Sequence, residues 1–287
     1  MGGLLQQGRR AWRKNFIYYW VMNQIMKMPA VDLPLSSRHI EIVRRAKQSG
    51  FVTIEDLAEH LDVTSQTVRR DINYLCQQGL LTRFHGGAAY RSSIVNVPYE
   101  TRRDSFSREK MLIARAVAAE INDETSVFID IGTTAEAVAT LLAKKRNMRV
   151  VTNNLNVVDI MRGSEGVEIT VCGGAVRLSD KALSGNITAD FIRQFNLDYS
   201  ILGVVAISRS GDILDFALED APVTQAILNC ARNAYIVADH SKFGRSAMVK
   251  VAHASQATAV ITDRLPVDGD WRKSLSDSET RVIVATA

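Results

Sequence analysis

Cysteine and histidine are scarce in this chain of 287 residues. The three cysteines, Cys76, Cys172 and Cys230, lie far apart and lack the short paired spacing of a zinc site. The five histidines are scattered and show no His-x-x-x-His spacing. We therefore expect no metal site, and three buried, reduced thiols of the kind found in the cytoplasm. No cofactor is predicted.

The N-terminal stretch also lacks a hydrophobic run that is long enough to cross a bilayer. Its apolar residues 16–22 follow a basic segment, whereas about 20 residues are needed to span the hydrocarbon core. Polar Asn23 and Gln24 come next, and no small-residue cleavage site is present. We predict no membrane contact and a disordered extension over residues 1–35. Residues 1–27 are either disordered or translated from an upstream start, with Met28 as the true start.

Charge is distributed unevenly along a chain that is otherwise ordinary in composition, with 46% hydrophobic and 23% charged residues. Residues 1–92 carry 13 Lys and Arg against 7 Asp and Glu, and the remainder carries 22 against 24. The length suits two domains. A basic first domain is typical of a protein that binds DNA phosphates, although a solvated basic surface would show the same charge.

The run 64–75 predicts a helix that binds in a DNA groove. Val68, Ile72 and Leu75 recur at helical spacing and predict a buried stripe. Either Thr64 or Ser65 can cap the helix by accepting a hydrogen bond from a free backbone N–H. Polar and basic side chains remain at the solvent-facing start of the helix, where a recognition helix contacts bases and phosphates.

The surrounding sequence completes a winged helix-turn-helix over residues 36–91. The first helix is expected at 36–49, with Ile40, Val43 and Ala46 facing inward, and Thr53 caps the second helix. The alternating residues 80–84 and the turn at 85–87 predict a hairpin wing. Residues 92–108 are polar and predict a linker. The predicted DNA-binding residues are Ser65, Gln66, Thr67, Arg69, Arg70, Arg83 and His85.

Residues 109–287 predict an α/β domain with a parallel sheet. Helical segments alternate there with short apolar runs, at 127–131, 149–152, 167–171, 199–205, 234–238, 257–262 and 282–285. Such runs are typical of strands that are covered on both faces. Ligands bind at the carboxyl ends of parallel strands, so the polar loops that follow these runs are candidates for a binding site.

The loop 130–134 has the features of an anion cradle, with a glycine, two threonine hydroxyls and a helix N-terminus. A tight turn with a threonine cap would look the same. Lys242 either neutralises a phosphate or is a solvated loop charge. Asp215, Glu219 or Asp220 either binds a hydroxyl, acts as a general base or complements a helix dipole. The predicted effector-binding residues are Asp130, Gly132, Thr133, Thr134, Asn153, Asn154, Gly173, Gly174, Asp215, Glu219, Asp239 and Lys242.

Residues 63–71, 85–88, 130–134 and 239–244 together resemble the DeoR family of bacterial sugar-metabolism repressors. The resemblance covers roughly residues 36–263. It implies that the second domain is similar to the sugar-phosphate isomerase and CoA-transferase fold. Residues 93–98, 152–157 and 190–195 look closest to the glycerol 3-phosphate branch. Ala206 departs from the family, which usually has a second glycine there, and residues 214–221 look more like the family at large.

The resemblance implies a cytoplasmic repressor that releases operator DNA when a phosphorylated metabolite, with sn-glycerol 3-phosphate favoured, binds the second domain. It also implies a homo-oligomer, a dimer or tetramer that reads repeated half-sites. Two alternatives remain: a repressor that responds to fructose 1-phosphate or a deoxyribose phosphate, and an isomerase-like enzyme that carries a DNA-binding domain. The base of that enzyme would be Asp130, Asp215, Glu219 or Asp239.

Overall fold

The computed structural model describes residues 35–84, 86–90, 96–267, 271–276 and 279–286. The described chain divides into two units between Ile40 and Glu41. The second unit contains the sheet domain and all of the DNA-binding domain beyond the start of its first helix. The predicted extension 1–35 and the alternative start at Met28 fall outside the described residues, apart from Leu35.

Helices and a small antiparallel sheet form the N-terminal domain. The helices are α1 (Ser37–Ser49), α2 (Ile54–Leu61) and α3 (Ser65–Gln77), and the strands are β1 (Phe51–Thr53), β2 (Leu81–Phe84) and β3 (Gly87–Tyr90). The strands pair in the order β1-β3-β2. The predicted winged helix-turn-helix is therefore confirmed, and β1 is an additional strand that the sequence analysis did not predict.

Two local predictions in this domain have different outcomes. Thr53 caps α2, where its hydroxyl accepts from the backbone N–H of Asp56 at 3.0 Å. The predicted inner face of α1 is wrong in part, because Ile42 and Ala46 are the buried residues. These two lie one turn apart and share a face, whereas Ile40 and Val43 flank it and are half-buried.

The region predicted as a linker contains a short helix, α4 (Tyr99–Asp104), and the first residues of α5 (Ser107–Glu120). Phe106 separates the two helices with a left-handed φ of 56°. The polar composition of this region gave no indication of the helix, since α4 has no buried residue, and the predicted linker boundaries stay a prediction.

The strands of the second domain are β4 (Ser126–Ile129), β5 (Met148–Thr152), β6 (Val167–Val171), β7 (Ala175–Arg177), β8 (Ala182–Ser184), β9 (Leu197–Gly203), β10 (Ala206–Ile207), β11 (Asp212–Asp215), β12 (Ala231–Val237), β13 (Val249–His253), β14 (Ala259–Thr262) and β15 (Arg281–Val284). The remaining helices are α6 (Thr133–Leu142), α7 (Leu155–Met161), α8 (Asn186–Ile192), α9 (Ala221–Asn229) and α10 (Trp271–Ser276). Single 3-10 turns lie at Leu218–Asp220, His240–Lys242 and Ala254–Gln256.

Seven parallel strands form the main sheet in the order β15-β14-β12-β9-β4-β5-β6. Each predicted apolar run contributes one of these strands, so the predicted α/β fold is confirmed. The antiparallel sheet β10-β11-β13 and the ribbon β7-β8 were not predicted. Their strands have only two to five residues, too few to show a strong periodic pattern.

Helices cover both faces of the main sheet. Along β4, Val127 and Ile129 pack in one core cluster with residues of α5 and α6, while Phe128 packs in the other with residues of α8 and α9. This alternation follows from the two-residue period of a strand. The chain order reverses between β4 and β9, because β5 and β6 follow on one side and β12, β14 and β15 on the other. Such a reversal opens a crevice at the carboxyl ends of the two strands.

Candidate DNA-binding surface and effector cavity

Helix α3 is anchored by a buried stripe and by a cap. Val68, Ile72 and Leu75 are fully buried, as the helical spacing predicted. Thr64 is the N-cap residue, and its hydroxyl accepts from the backbone N–H of Thr67 at 3.3 Å. The predicted start of the helix is therefore confirmed, with Thr64 as the capping residue and Ser65 as the first residue of α3.

The opposite face of α3 is polar and exposed. Gln66, Arg69 and Arg70 are exposed at its start, and Asn73 continues the same face one turn later. Ser65 and Thr67 are half-buried beside the cap. This is the placement that a recognition helix needs for contact with base edges and phosphates. Asn73 was not predicted, although its spacing from Gln66 and Arg70 would have identified it.

The wing is the hairpin β2-β3. Its close packing on β1 requires Gly87, since a Cβ there would lie 2.0 Å from the carbonyl oxygen of Val52. Arg83 is half-buried on β2, and its buried Nη1 has no hydrogen-bond partner within the described part of the chain. His85 lies outside the described residues, so its predicted DNA contact stays a prediction.

A cavity of about 340 Å³ lies at the carboxyl ends of β4 and β9. Its wall combines the loops after these strands, the ribbon β7-β8, the segment after β11, helix α9 and the residues around α4. The lining residues are Asn96, Val97, Pro98, Tyr99, Arg102, Asp130, Ile131, Gly132, Arg177, Ser179, Asp180, Gly203, Val204, Val205, Asp215, Phe216, Ala217, Asp220, Val223 and Thr224.

Two glycines shape the floor of this cavity. Gly132 caps α6 with a φ of 112°, a backbone conformation that other residues rarely adopt. At Gly203 a Cβ would lie 2.3 Å from the carbonyl oxygen of Ile131. Gly132 therefore supplies a backbone conformation that other residues rarely adopt, whereas the close approach of the ends of β4 and β9 requires the missing side chain of Gly203.

Carboxyl groups cluster at one end of the cavity. Burial is the main cause that raises the pKa of Asp130 to about 8 and that of Asp215 to about 6. Asp220 raises both values further and has a raised pKa of its own, again mainly through burial. Asn153 donates to Asp130 Oδ1 at 3.1 Å, which partly opposes the shift. Asp130 is therefore largely protonated at neutral pH, and its carboxyl group can both donate and accept hydrogen bonds.

Arg177 neutralises part of this end. Its Nε and Nη2 donate to the two carboxylate oxygens of Asp180 at 2.9 and 3.1 Å, and its Nη1 donates to Asp220 at 2.9 Å. Burial opposes the charge of Arg177, but these carboxylates outweigh burial and raise its pKa. All three nitrogens of this guanidinium group are thus hydrogen-bonded to carboxylates of the protein.

Cations lie beside these carboxyl groups and around the cavity, and Arg102 Nη2 is 3.8 Å from Asp180. We call Arg102, Lys110, Lys242 and Arg245 the cation cluster. Burial is the main cause that lowers the pKa of each, to about 7 for Lys242 and to about 10 for Arg245. Repulsion from Arg102 contributes to the shifts of Lys110, Lys242 and Arg245, and repulsion from Arg177 contributes to that of Arg102. A bound anion would relieve that repulsion.

The predicted effector residues fall into two groups. Asp130, Gly132 and Asp215 line the cavity. The others do not: Asn153 and Asn154 are buried behind Asp130, and Asn154 donates to Glu136 at 3.1 Å. Asp239 is buried and accepts from Ser241 at 3.0 Å, and Lys242 lies in the cation cluster behind the wall.

The remaining predicted residues contribute through the backbone or lie at the surface. Thr133 and Thr134 form the first turn of α6, and Thr133 donates to the carbonyl oxygen of Arg102 at 3.5 Å. The carbonyl oxygen of Gly173 accepts from Thr188 at 2.9 Å, and Gly174 packs on the same side chain. Glu219 is exposed. Ala206, the departure from the family pattern, is buried but is not a lining residue.

Arg102 and Arg177 are the cavity residues that sequence reasoning missed. Arg102 stands among the charged residues 100–104, where nothing distinguishes it from its exposed neighbours. Arg177 reaches the cavity only because the ribbon β7-β8 folds back toward Asp220. No grouping of three or more His, Cys, Asp or Glu residues suited to a metal ion occurs within the described ranges. None of the described helices combines the length and hydropathy that crossing a bilayer requires.

Comparison with known proteins identifies both domains. The model of the DeoR C terminal sensor domain matches residues 105–264, and that of the DeoR-like helix-turn-helix domain matches residues 38–94. This chain belongs to the DeoR family. Most lining residues of the cavity, from Asp130 to Thr224, fall within the matched sensor domain, and the others precede it.

Several relatives of this DeoR-family chain are transcriptional repressors. The glycerol-3-phosphate regulon repressor of Escherichia coli (strain K12) is 45% identical over 80% of this chain and 92% of that protein. Its namesake in Haemophilus influenzae is 43% identical over 80% and 90%. The repressor CsqR of E. coli is 39% identical over 90% and 98%. The chain is thus a transcriptional repressor and not an enzyme.

Ribose 5-phosphate isomerase from Plasmodium falciparum is a more distant structural neighbour. The match covers 47% of this chain and 51% of the isomerase chain, with 14% identity and a TM-score of 0.34. A likeness of this size supports no conclusion about function.

Proposed function

We propose that this DeoR-family repressor leaves operator DNA when it binds a phosphorylated metabolite with free hydroxyl groups, and that sn-glycerol 3-phosphate is the effector. The observation that carries the proposal is a cavity lined by carboxyl groups together with the guanidinium of Arg102, with three further buried cations within electrostatic range of it. A molecule that carries both an anionic group and hydroxyls matches this lining.

The buried cations suit a phosphate group. Arg102 lines the cavity, and its charge acts on Lys110, Lys242 and Arg245. The first turn of α6 begins at Thr133, directly after the lining residue Gly132. Free backbone N–H groups and the helix dipole favour an anion at such a turn.

The carboxylate end suits hydroxyl groups. Asp130 and Asp215 line it, and carboxylate oxygens accept hydrogen bonds from hydroxyls. Arg177 already serves Asp180 and Asp220 as a counter-ion. The nearby Arg102 is therefore the lining guanidinium that is left for a phosphate.

The relatives provide independent support for the identity of the effector. Those from E. coli and H. influenzae carry glycerol 3-phosphate in their names, whereas CsqR does not. We therefore rank sn-glycerol 3-phosphate first and keep other sugar phosphates as competitors in the test below.

We assign operator contact to the exposed face of α3 and to the wing. The proposed contact residues on α3 are Gln66, Arg69 and Arg70, with Ser65 and Thr67 beside the cap, and those of the wing are Arg83 and His85. We also propose that the repressor acts as a homo-oligomer in the cytoplasm, where two or four recognition helices read repeated half-sites.

Thermal unfolding of the purified protein tests the effector. A ligand at one hundred times its dissociation constant adds about 2.7 kcal/mol of stability. We expect this gain with sn-glycerol 3-phosphate and none at the same concentration with glycerol, which lacks the phosphate, or with inorganic phosphate, which lacks the hydroxyls. A gain with fructose 1-phosphate or a deoxyribose phosphate instead would assign the repressor to another pathway. No gain with any phosphorylated compound would refute a phosphate effector.

A further inference from the structure

The residues between the two domains form part of the cavity wall. We call residues 96–106 the connecting segment. Asn96, Val97, Pro98, Tyr99 and Arg102 of this segment all line the cavity. Any molecule that fills the cavity therefore touches the chain that leads to the DNA-binding domain.

Helix α4 of the connecting segment is held across the first turns of α6. Tyr99 Oη donates to Glu136 Oε2 at 2.8 Å, and Thr133 donates to the carbonyl oxygen of Arg102. Lys110 Nζ donates to the carbonyl oxygens of Arg102 and Ser105. Because α6 begins at the proposed phosphate site, α4 lies beside the anion that would bind there.

Some N–H groups of the Arg102 guanidinium make no hydrogen bond among the described residues. Its side chain is 15% exposed, Nε donates to the carbonyl oxygen of Val97 at 3.1 Å, and Nη2 lies 3.8 Å from Asp180. No other hydrogen bond from this guanidinium is formed among the described residues. Arg177, by contrast, places three nitrogens on carboxylates. Of the two guanidinium groups that line the cavity, Arg102 is the one that can still receive an anion.

Phe106, at the end of the connecting segment, joins the wing to the sensor domain. Its ring centroid lies 6.0 Å from that of Phe84 on β2 and 5.1 Å from that of His240. Phe84 also packs with Ala89 of the wing and with Val97 of the connecting segment. His240 is fixed in turn by Asp263, at 2.8 Å. A shift of α4 would therefore be transmitted to the wing through packed rings.

We propose that Arg102 binds the anionic group of the effector, and that the connecting segment transmits this binding to the wing through Phe106. The inference rests on the proposed function, which supplies the anionic effector. It adds the residue that connects the effector to release of DNA. A ligand changes a conformational equilibrium only through contacts that differ between the two states, and Arg102 provides such a contact.

Calorimetric titration with sn-glycerol 3-phosphate tests the first half of the inference. We expect Arg102→Ala to weaken binding about 10- to 100-fold, the loss of a charge-assisted contact to phosphate, and Arg102→Lys to restore part of it. Arg103→Ala is the matched control on the same helix, because Arg103 is exposed and paired with Glu100 and Asp104. Arg103→Ala should bind like the wild type.

Fluorescence anisotropy of labelled operator DNA tests the second half. Phe106→Leu keeps apolar bulk but removes the ring contacts. Effector binding should therefore persist, but the bound effector should no longer lower the affinity of the protein for operator DNA. Full effector response in Phe106→Leu, or unchanged effector affinity in Arg102→Ala, would overturn the inference and leave the proposed function intact. Failure of the wild type to bind sn-glycerol 3-phosphate would instead overturn the proposed function and the inference with it.

Discussion

We predict that effector binding depends on pH through the charge of Lys242. Burial lowers the pKa of Lys242 to about 7, and Arg245, Arg102 and Lys110 contribute to the shift while Asp239 opposes it. The charged form, which attracts a phosphate, is present below this pH and is lost as the pH rises. The second pKa of a phosphate monoester is near 6, so the ligand itself is already a dianion above pH 7.

The magnitude follows from the fraction of charged Lys242. This fraction is about one half at pH 7 and about 1% at pH 9 for a pKa near 7, so the dissociation constant should rise by up to about 50-fold if only the charged form binds. Asp130, whose pKa is about 8, becomes charged in the same interval and disfavours an anion further. Both groups therefore act with the same sign.

Calorimetric titration of sn-glycerol 3-phosphate at pH 7, 8 and 9 measures this effect. Lys242→Arg is the matched variant, because arginine stays protonated throughout this range. It should keep most of the affinity at pH 9 and retain only the smaller dependence that Asp130 contributes. The reasoning would be refuted by a wild type whose affinity is constant from pH 7 to 9, or by an equal slope in Lys242→Arg.

Three further predictions concern the DNA-binding domain and the stability of the cavity. Arg70→Ala should weaken operator binding and reduce its salt slope by about one, measured by anisotropy, with effector binding unchanged. Thr64→Ala removes the cap of α3 and should cost about 1 kcal/mol in urea unfolding. Arg177→Met leaves Asp180 and Asp220 without their counter-ion and should lower the free energy of unfolding by about 3 kcal/mol. This is the low end for a buried ion pair, because the Arg177 side chain is 29% exposed. Replacing the exposed Arg146 in the same way should change little.

The DNA-binding half of the molecule was predictable because its determinants are local. The spacing of Val68, Ile72 and Leu75 and the cap at Thr64 specify α3 within a dozen residues. The strands of the parallel sheet were predictable for a similar reason, since each is a short apolar run buried on both faces. Ile42 shows the limit, because the buried stripe of α1 follows from how the helix rests on its neighbours.

Only those cavity residues that directly follow a strand of the main sheet were predictable from the sequence. Asp130 and Gly132 follow directly from the rule that ligands bind at strand ends. Arg177 and Arg102 do not, because the ribbon β7-β8 and helix α4 bring them there through contacts distant in sequence. Lys242, which was predicted to neutralise a phosphate or to be a solvated loop charge, is not a lining residue of the cavity, and its effect on a bound phosphate stays a prediction.

The central claim is that a phosphorylated polyol releases this repressor from DNA. The most direct measurement is the anisotropy of a labelled operator, selected by the protein from genomic fragments, during titration with sn-glycerol 3-phosphate. The account predicts that the complex dissociates as the effector saturates, whereas equal concentrations of glycerol or inorganic phosphate leave it intact. A complex that persists at saturating concentrations of every phosphorylated metabolite tested would contradict the account.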